Sequence, residues 1–370
     1  MPKKNILHII TGLSLGGAEM MLYKLIKNSP NPQKHMVVSL TDKGYFGDKL
    51  LELNVRVIEL KMSKWLFFTK IWTLVKIIKE SKVDVIQCWM YHANLIGSIC
   101  GFIANVKNIV WGIRHSISKH DKLSVRIIDK ILALTSSFAC KAVICCGDIP
   151  KLTCEKNGYS KSKLYSIYNG FETHEMYFSE EERNKLRNEF RLSNENFVIV
   201  HMARFHYLKN HSGLLKIFAQ VYKKNKLARL VLAGNGIENN TKIDELIKEF
   251  NLSKSVLVLG TRTDTRAIYS MSDVAILTSL SEGFPNVLGE AMLCERPSLA
   301  TDVGDCKLII DNDDWIFDLN DNENFVKALL ELSIMPKDKI MDIGRSCRKK
   351  IIDRFDIGQT YIKFHKIWDL

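Results

Sequence analysis

Short apolar runs alternate with longer amphipathic ones along this chain, and the alternation runs through twice. Residues 5–11, 35–41, 55–60, 83–88, 108–115, 141–146 and 164–168 read as strands, with helical spacing filling most of the gaps between them. After the turn Asn169-Gly170, a charged helix over about 180–190 leads into a second series at 197–203, 228–233, 256–259, 273–278 and 298–301. Strands separated by helices of this length form βαβ units, and hence parallel sheets covered on both faces. The reading is two doubly wound Rossmann-like domains, 1–170 and 171–354, for which 370 residues are sufficient. A last helix over 355–370 has Ile357, Tyr361, Phe364 and Trp368 on one side and is expected to pack back on the first domain.

Charge separates the two halves. Residues 1–170 have 25 Lys and Arg against 11 Asp and Glu, whereas 171–370 have 28 against 30. The +14 of the first half points to a polyanionic partner, either a nucleic acid or an anionic membrane surface. No RNP motif, zinc knuckle or helix-turn-helix stands in context, so no nucleic acid is expected. The longest weakly polar run, residues 95–106, is too short to span a bilayer of roughly 30 Å. The start MPKKNILHII reads as a first strand and not as a cleavable signal, which predicts a cytoplasmic protein. Nine cysteines without Cys-x-x-Cys or zinc spacing read as reduced core residues.

Ligands of open α/β sheets bind beyond the carboxyl ends of the strands, so post-strand residues are the candidates. The strongest local signal is SEGFPNVLGEAM, residues 281–292, after the strand at 273–278 and entering a helix near Val287. Backbone N–H groups from Asn286 to Gly289 and the helix dipole suit phosphate oxygens. Glu290 suits a vicinal diol such as a ribose, and Glu282 sugar hydroxyls. Arg204 and Lys209, five apart after the strand at 197–203, suit a diphosphate, the Arg as a planar fork and the Lys as a mobile point charge. Gly16 and Gly17 follow the first strand, where glycine admits close approach. Arg114 and His115 end the strand at 108–115, while Asn235, Arg262 and Asp264 are weaker post-strand candidates. Each has a bland alternative when taken singly: dipole complement, solvated loop charge, ordinary turn. Gly-x-Gly-x-x-Gly is absent, which disfavours hydride transfer. His201, His206 and His211 share no metal-ligand pattern, and the Asp-x-Asp within 311–314 lies in a polar turn; no metal and no cofactor are expected.

Taken together, Gly16-Gly17-Ala18-Glu19, His115, Asn169-Gly170, Arg204 with Lys209, Gly234-Asn235-Gly236, and Glu282-Gly283-Phe284-Pro285 with Glu290 resemble the retaining glycosyltransferases of family 4. That family has the GT-B architecture, two facing Rossmann-like domains with a cleft between them. The resemblance covers nearly the whole chain and implies a metal-independent hexosyltransferase of surface-polysaccharide synthesis, using a nucleotide diphosphate sugar, with UDP favoured over GDP. It implies that Arg204 and Lys209 hold the diphosphate, Glu282 the donor sugar and Glu290 the ribose. Phe284, Pro285, Asn286, Val287 and Leu288 line the sugar and phosphate site; Arg262 and Asp264 meet the base. Gly17, beside Gly16, approaches the phosphates or sugar, and His115 the sugar's far edge. The segment DVGDCKLII, residues 302–310, departs from the commoner family pattern at Asp305 and Lys307.

In that architecture the first domain takes the acceptor. Here it contains the basic, aromatic segment 61–79, with Trp65, Leu66, Phe67, Phe68, Ile71 and Trp72 among lysines, and a second stretch, 119–130, with Lys122 and Arg126. These suit an anionic interface, and predict a lipid-linked glycan acceptor at the inner leaflet. A core helix with a solvated lysine face is the competing reading. A GT-B nucleotide-sugar 2-epimerase is the alternative enzyme, since fold alone does not separate the two.

Overall fold

The computed structural model describes residues 4–63, 66–117 and 121–370; Trp65 and Lys119 lie outside them. The chain forms two compact units, Met1–Gly170 with Ile357–Leu370, and Phe171–Asp356.

The first unit runs β1 (Ile6–Ile10), α1 (Gly17–Lys27), β2 (His35–Ser39), α2 (Gly44–Glu52), β3 (Arg56–Glu59), α3 (Phe67–Glu80), β4 (Val85–Trp89), α4 (Tyr91–Ile103), β5 (Ile109–Ile113), α5 (Leu123–Ala139), β6 (Ala142–Cys145), α6 (Asp148–Lys156) and β7 (Leu164–Ser166). The second continues with α7 (Glu180–Glu189), β8 (Phe197–Met202), α8 (His211–Lys224), β9 (Ala228–Ala233), α9 (Thr241–Glu249), β10 (Val256–Gly260), α10 (Thr265–Met271), β11 (Val274–Leu277), α11 (Asn286–Leu293), β12 (Ser298–Thr301), α12 (Cys306–Ile310), β13 (Ile316–Phe317), α13 (Asn322–Ile334) and α14 (Lys337–Phe355). The last helix, α15 (Ile357–Trp368), belongs to the first unit.

Both sheets are parallel, with strand orders β3-β2-β1-β4-β5-β6-β7 and β10-β9-β8-β11-β12-β13. The central strands are buried on both faces, which is why they read as unbroken apolar runs. Each order reverses direction once, between β1 and β4 in the first unit and between β8 and β11 in the second. At such a switch point the two neighbouring connections depart to opposite sides and leave a crevice at the strands' carboxyl ends. This is the expected fold class, two Rossmann-like doubly wound domains. The short edge strand β13 was not expected; its two apolar residues lie between Asp313, Asp314 and Asp318 and show no period.

Two devices hold the units. In the second, Asp273 accepts Arg183 at 2.5 Å, Arg187 at 2.8 Å and the Val198 amide at 2.7 Å. Arg183 also donates to the carbonyls of Ser270, Met271 and Ser272, and Arg187 to that of Met271, so cations cover the negative end of α10. In the first, α15 buries Phe364, Ile367 and Trp368 against the sheet, and Trp368 Nε1 donates to Gln87 Oε1 at 2.9 Å. All nine cysteines are buried and unbridged.

Candidate functional site

The loops after β8 and β11, the two strands at the second unit's switch point, meet. Past β8 the chain makes a 3-10 turn over Tyr207–Lys209, then Asn210 takes a left-handed conformation (φ 50, ψ 48), and its Oδ1 accepts the Gly213 amide at 3.1 Å to start α8. Asparagine tolerates that conformation and caps helices well. The bend turns Lys209 back over the sheet end, where its Nζ lies 2.5 Å from Oε1 of Glu282. Ser279 Oγ donates to the same oxygen at 2.6 Å, while its carbonyl accepts Thr301 Oγ1 at 2.6 Å. The Leu280 amide donates to the Leu208 carbonyl at 2.8 Å and ties the two loops together. Glu282 is thus held through one oxygen by an ammonium and a hydroxyl, and neither bond uses Oε2. Such a carboxylate is poised to accept hydroxyl donors of a ligand.

The backbone behind the pair is compact. Gly234 has φ +151, and a Cβ there would lie 2.1 Å from the Ala203 carbonyl oxygen, so only glycine lets the β8 and β9 ends approach. Gly304 (φ +54) packs against the Glu282 and Gly283 carbonyls, and the Asp305 amide donates to Gly283 at 2.9 Å. The departing segment 302–310 therefore buttresses the Glu282 loop.

The remaining residues of the second unit fall in different places. Arg204 is exposed in the β8 loop, and Asn235 is exposed with its carbonyl accepting the Phe205 amide at 2.7 Å. Arg262 and Asp264 pair with each other at 2.6 and 2.8 Å; that bond raises the Arg262 pKa and lowers the Asp264 pKa. Phe284 is buried against the rings of Phe171 and Phe355, so its side chain packs the unit's interior. Pro285 and Leu288 are buried as well, with Asn286 and Val287 half-buried between them. The helix starts at Asn286, and the Leu288 amide already donates to Pro285 at 3.2 Å, so it is not one of the free donors expected over 286–289. Glu290 consequently lies past the first turn and is buried. It sits near Tyr269 and Cys294, whose pKa values are raised mainly by burial, with Glu290 pushing the same way.

The first unit has its own strand-end group. Gly16, extended at φ −162, precedes α1, and Gly17 is its exposed first residue. His115 follows β5, partly exposed, with its ring edge-on to Tyr91 and its carbonyl accepting the Tyr91 hydroxyl at 2.9 Å. Arg114 hydrogen-bonds Asn169 and lies over the Trp89 ring; burial lowers its pKa. Met90, at the end of β4, holds φ 70 and ψ 166, a region populated almost wholly by glycine. Neither Met90 nor Ser279 shows in the sequence, because backbone strain and a hydroxyl at a strand end carry no pattern. The Asp-x-Asp side chains are engaged elsewhere, Asp313 with Lys307 at 2.9 Å and Asp311 with Arg354 at 3.5 Å.

Two parallel, doubly wound domains, one with a cation–carboxylate pair set at its switch point, define the α/β class, in which ligands bind beyond the strands' carboxyl ends. The chain matches, over residues 182–349, the model of the family described as glycosyl transferases group 1. It is similar to the UDP-Gal:alpha-D-GlcNAc-diphosphoundecaprenol alpha-1,3-galactosyltransferase of Escherichia coli, 24% identical over 99% of this chain and 97% of that one. A second relative is the N-acetylgalactosamine-N,N'-diacetylbacillosaminyl-diphospho-undecaprenol 4-alpha-N-acetylgalactosaminyltransferase of Campylobacter jejuni, 29% identical over 45% of this chain and 46% of that one. Among solved structures, Anabaena Alr3699/HepE in complex with UDP-glucose has a TM-score of 0.86 at 22% identity, covering 98% of both chains. That whole-chain likeness gives the GT-B fold class.

Proposed function

We propose that this protein moves a hexosyl-type sugar from a UDP-sugar to a hydroxyl of a lipid-linked glycan, with retention of anomeric configuration and without a metal ion, in surface-polysaccharide synthesis. It does so in the cytoplasm, at the inner face of the membrane. The observation that carries the reading is the Lys209–Glu282 pair at the switch point of the second unit. The relatives' names support the donor and acceptor classes: one uses UDP-Gal, and two act on diphosphoundecaprenol-linked sugars.

In this reading, Lys209 and Arg204 stabilise the charge that grows on the departing diphosphate, as preorganised cations do best in a site shielded from water. Glu282 accepts donor-sugar hydroxyls through Oε2 and Glu290 the ribose hydroxyls. Arg262, Asp264 and Asn235 serve the nucleotide end, and the loop from Phe284 to Val287 borders phosphate and sugar. Gly16, Gly17 and His115 are the first unit's candidates for ligand contact. The C1–O bond to the diphosphate breaks while the acceptor oxygen approaches C1 on the same face, and the acceptor's proton passes to the departing phosphate oxygen.

The test is UDP and GDP release over a panel of UDP- and GDP-sugars, with and without polyprenyl-diphosphate-linked sugar, in EDTA. Release of UDP that requires the acceptor, and an α-linked product by NMR from an α-linked donor, is the expected result. Release without acceptor, accompanied by inversion at the sugar's C2, would make the protein the 2-epimerase instead.

A further inference from the structure

Three helices of the first unit lie side by side on one face of its sheet: α4 packs against α3 on one flank and α5 on the other, and all three contribute to one core. We propose that their outward surface is where the protein seats itself on an anionic phospholipid bilayer. The inference deepens the proposed function, and its purpose rests on that reading's lipid-linked acceptor.

Helix α5 is apolar on two sides. Leu132, Ala133 and Ser136 face the core, with the buried Asp129 beside them bonded to Tyr159 and Asn157. At 3.6 residues per turn, Leu123, Ile127, Ile131, Leu134 and Phe138 fall within an arc of about 80° on the opposite side, and all five are exposed. Leu134 is 80% and Phe138 78% exposed. A helix paired only with its own domain has no use for that second stripe. Alongside it, α4 presents Phe102, 85% exposed, with Ile99 and Ile103. On α3, Phe68 (79%) and Trp72 share the outward face with Lys76 and Lys79, while Ile71, Leu74, Val75 and Ile78 fill the core. The core-helix reading of 61–79 is therefore right for one side of α3 only.

Single exposed apolar residues are ordinary, but this many on the outward sides of three adjacent helices mark an interaction surface. Its charge selects the partner. The three helices contribute Lys70, Lys76, Lys79, Arg126 and Lys130, while their acids are Glu80, which pairs with Lys76 at 3.7 Å, and the buried Asp129. Aromatic and aliphatic side chains bordered by lysines match the boundary between acyl chains and anionic headgroups. Among the described residues no helix is long and apolar enough to cross a membrane, so the contact is a seat and not a span.

The experiment is flotation of the full chain with phosphatidylcholine vesicles, with and without phosphatidylglycerol, at low and high salt, alongside UDP affinity. Phosphatidylglycerol vesicles bind at low salt, and salt weakens them. The Phe102→Ser/Leu134→Ser/Phe138→Ser variant loses about tenfold or more of that binding, with unchanged melting temperature and UDP affinity. Lys76→Gln, Lys79→Gln and Lys130→Gln each cost about fivefold on the anionic vesicles and little on the neutral ones. No vesicle binding by a chain that binds UDP overturns the seat alone, and a dimer abolished by the triple serine variant would give the face to a second copy. Vesicle binding without UDP affinity overturns the donor reading and leaves the seat standing.

Discussion

Lys209 and Glu282, 73 positions apart, share a hydrogen bond of 2.5 Å because β8 and β11 are neighbours at the sheet's switch point. Helices α8, α9 and α10 all intervene between them in sequence, so the pairing is a product of strand order. If the ammonium stabilises the departing diphosphate, Lys209→Ala lowers kcat by about 10²–10³-fold with a smaller effect on KM. Glu282→Gln keeps the shape and can still accept through its carbonyl, so it is milder than Glu282→Ala. The two side chains are 22% and 11% exposed, so each alanine also costs about 1–3 kcal/mol of stability. Steady-state kinetics beside thermal unfolding separate the two effects; a wild-type kcat in Lys209→Ala would remove it from the chemistry.

Asp273, just before β11 at the end away from the candidate site, is bonded to both Arg183 and Arg187. Arg187 is almost fully buried, so removing its counter-charge leaves a guanidinium and the Val198 amide short of partners. Breaking a buried pair from one side costs about 3–5 kcal/mol. Asp273→Ala is expected to unfold at correspondingly lower denaturant, while the fraction that remains folded binds UDP as before.

Trp368 tests how far α15 belongs to the first unit. Its indole N–H bonds Gln87 and its carbonyl accepts Lys4 at 2.7 Å and Asn108 at 2.9 Å, tying the helix to residues beside β1, β4 and β5. Trp368→Ala loses a fully buried ring and strands the Gln87 oxygen, at a cost of about 3–5 kcal/mol. Hydrogen exchange should quicken in β1, β4 and β5, while β8 and β11 keep their protection. Equal loss of protection in both units would mean that they unfold as one.

Much of this architecture is legible in the residues, and the gaps have physical causes. Central strands such as β1, β4, β8 and β11 announce themselves because burial on both faces demands unbroken apolar runs. Strand β13 does not, since Ile316-Phe317 is too short to show a period. Lys209 and Glu282 were visible as post-strand residues, but their contact depends on strand order, which spacing does not encode. The start of α11 also escapes the pattern: it lies at Asn286, so Glu290 is the fifth helical residue and is buried. The outward stripe of α5 went unseen for a different reason: a helix apolar on two sides looks, from its sequence, like one that is simply buried.

Each unit buries a pair of histidines, and the pairs are expected to weaken the fold in acid. Trp89 Nε1 can only donate, so His8 Nδ1 accepts from it at 3.2 Å, and His8 must carry its proton on Nε2. That proton goes to His35 Nδ1 at 2.9 Å, and His35 Nε2–H in turn donates to Ser29 Oγ at 3.0 Å. Protonating either ring would set two N–H groups against each other. Burial lowers the His8 pKa and brings that of His35 to about 4, with His35 and His365 respectively pushing the same way. In the second unit burial brings His201 to about 3 and His211 to about 4, their rings 5.1 Å apart. The unfolded chain takes up protons near pH 6.5 whereas the native one does not, so stability is full above pH 6.5 and falls as the pH drops toward 4. His35 alone accounts for about 3 kcal/mol over that interval. Urea unfolding at pH 7.5, 6.5, 5.5 and 4.5 should give a steadily falling free energy. The His35→Gln variant, less stable at pH 7.5, should lose less between 6.5 and 4.5; a wild-type curve flat over that interval would show that these rings are not held neutral.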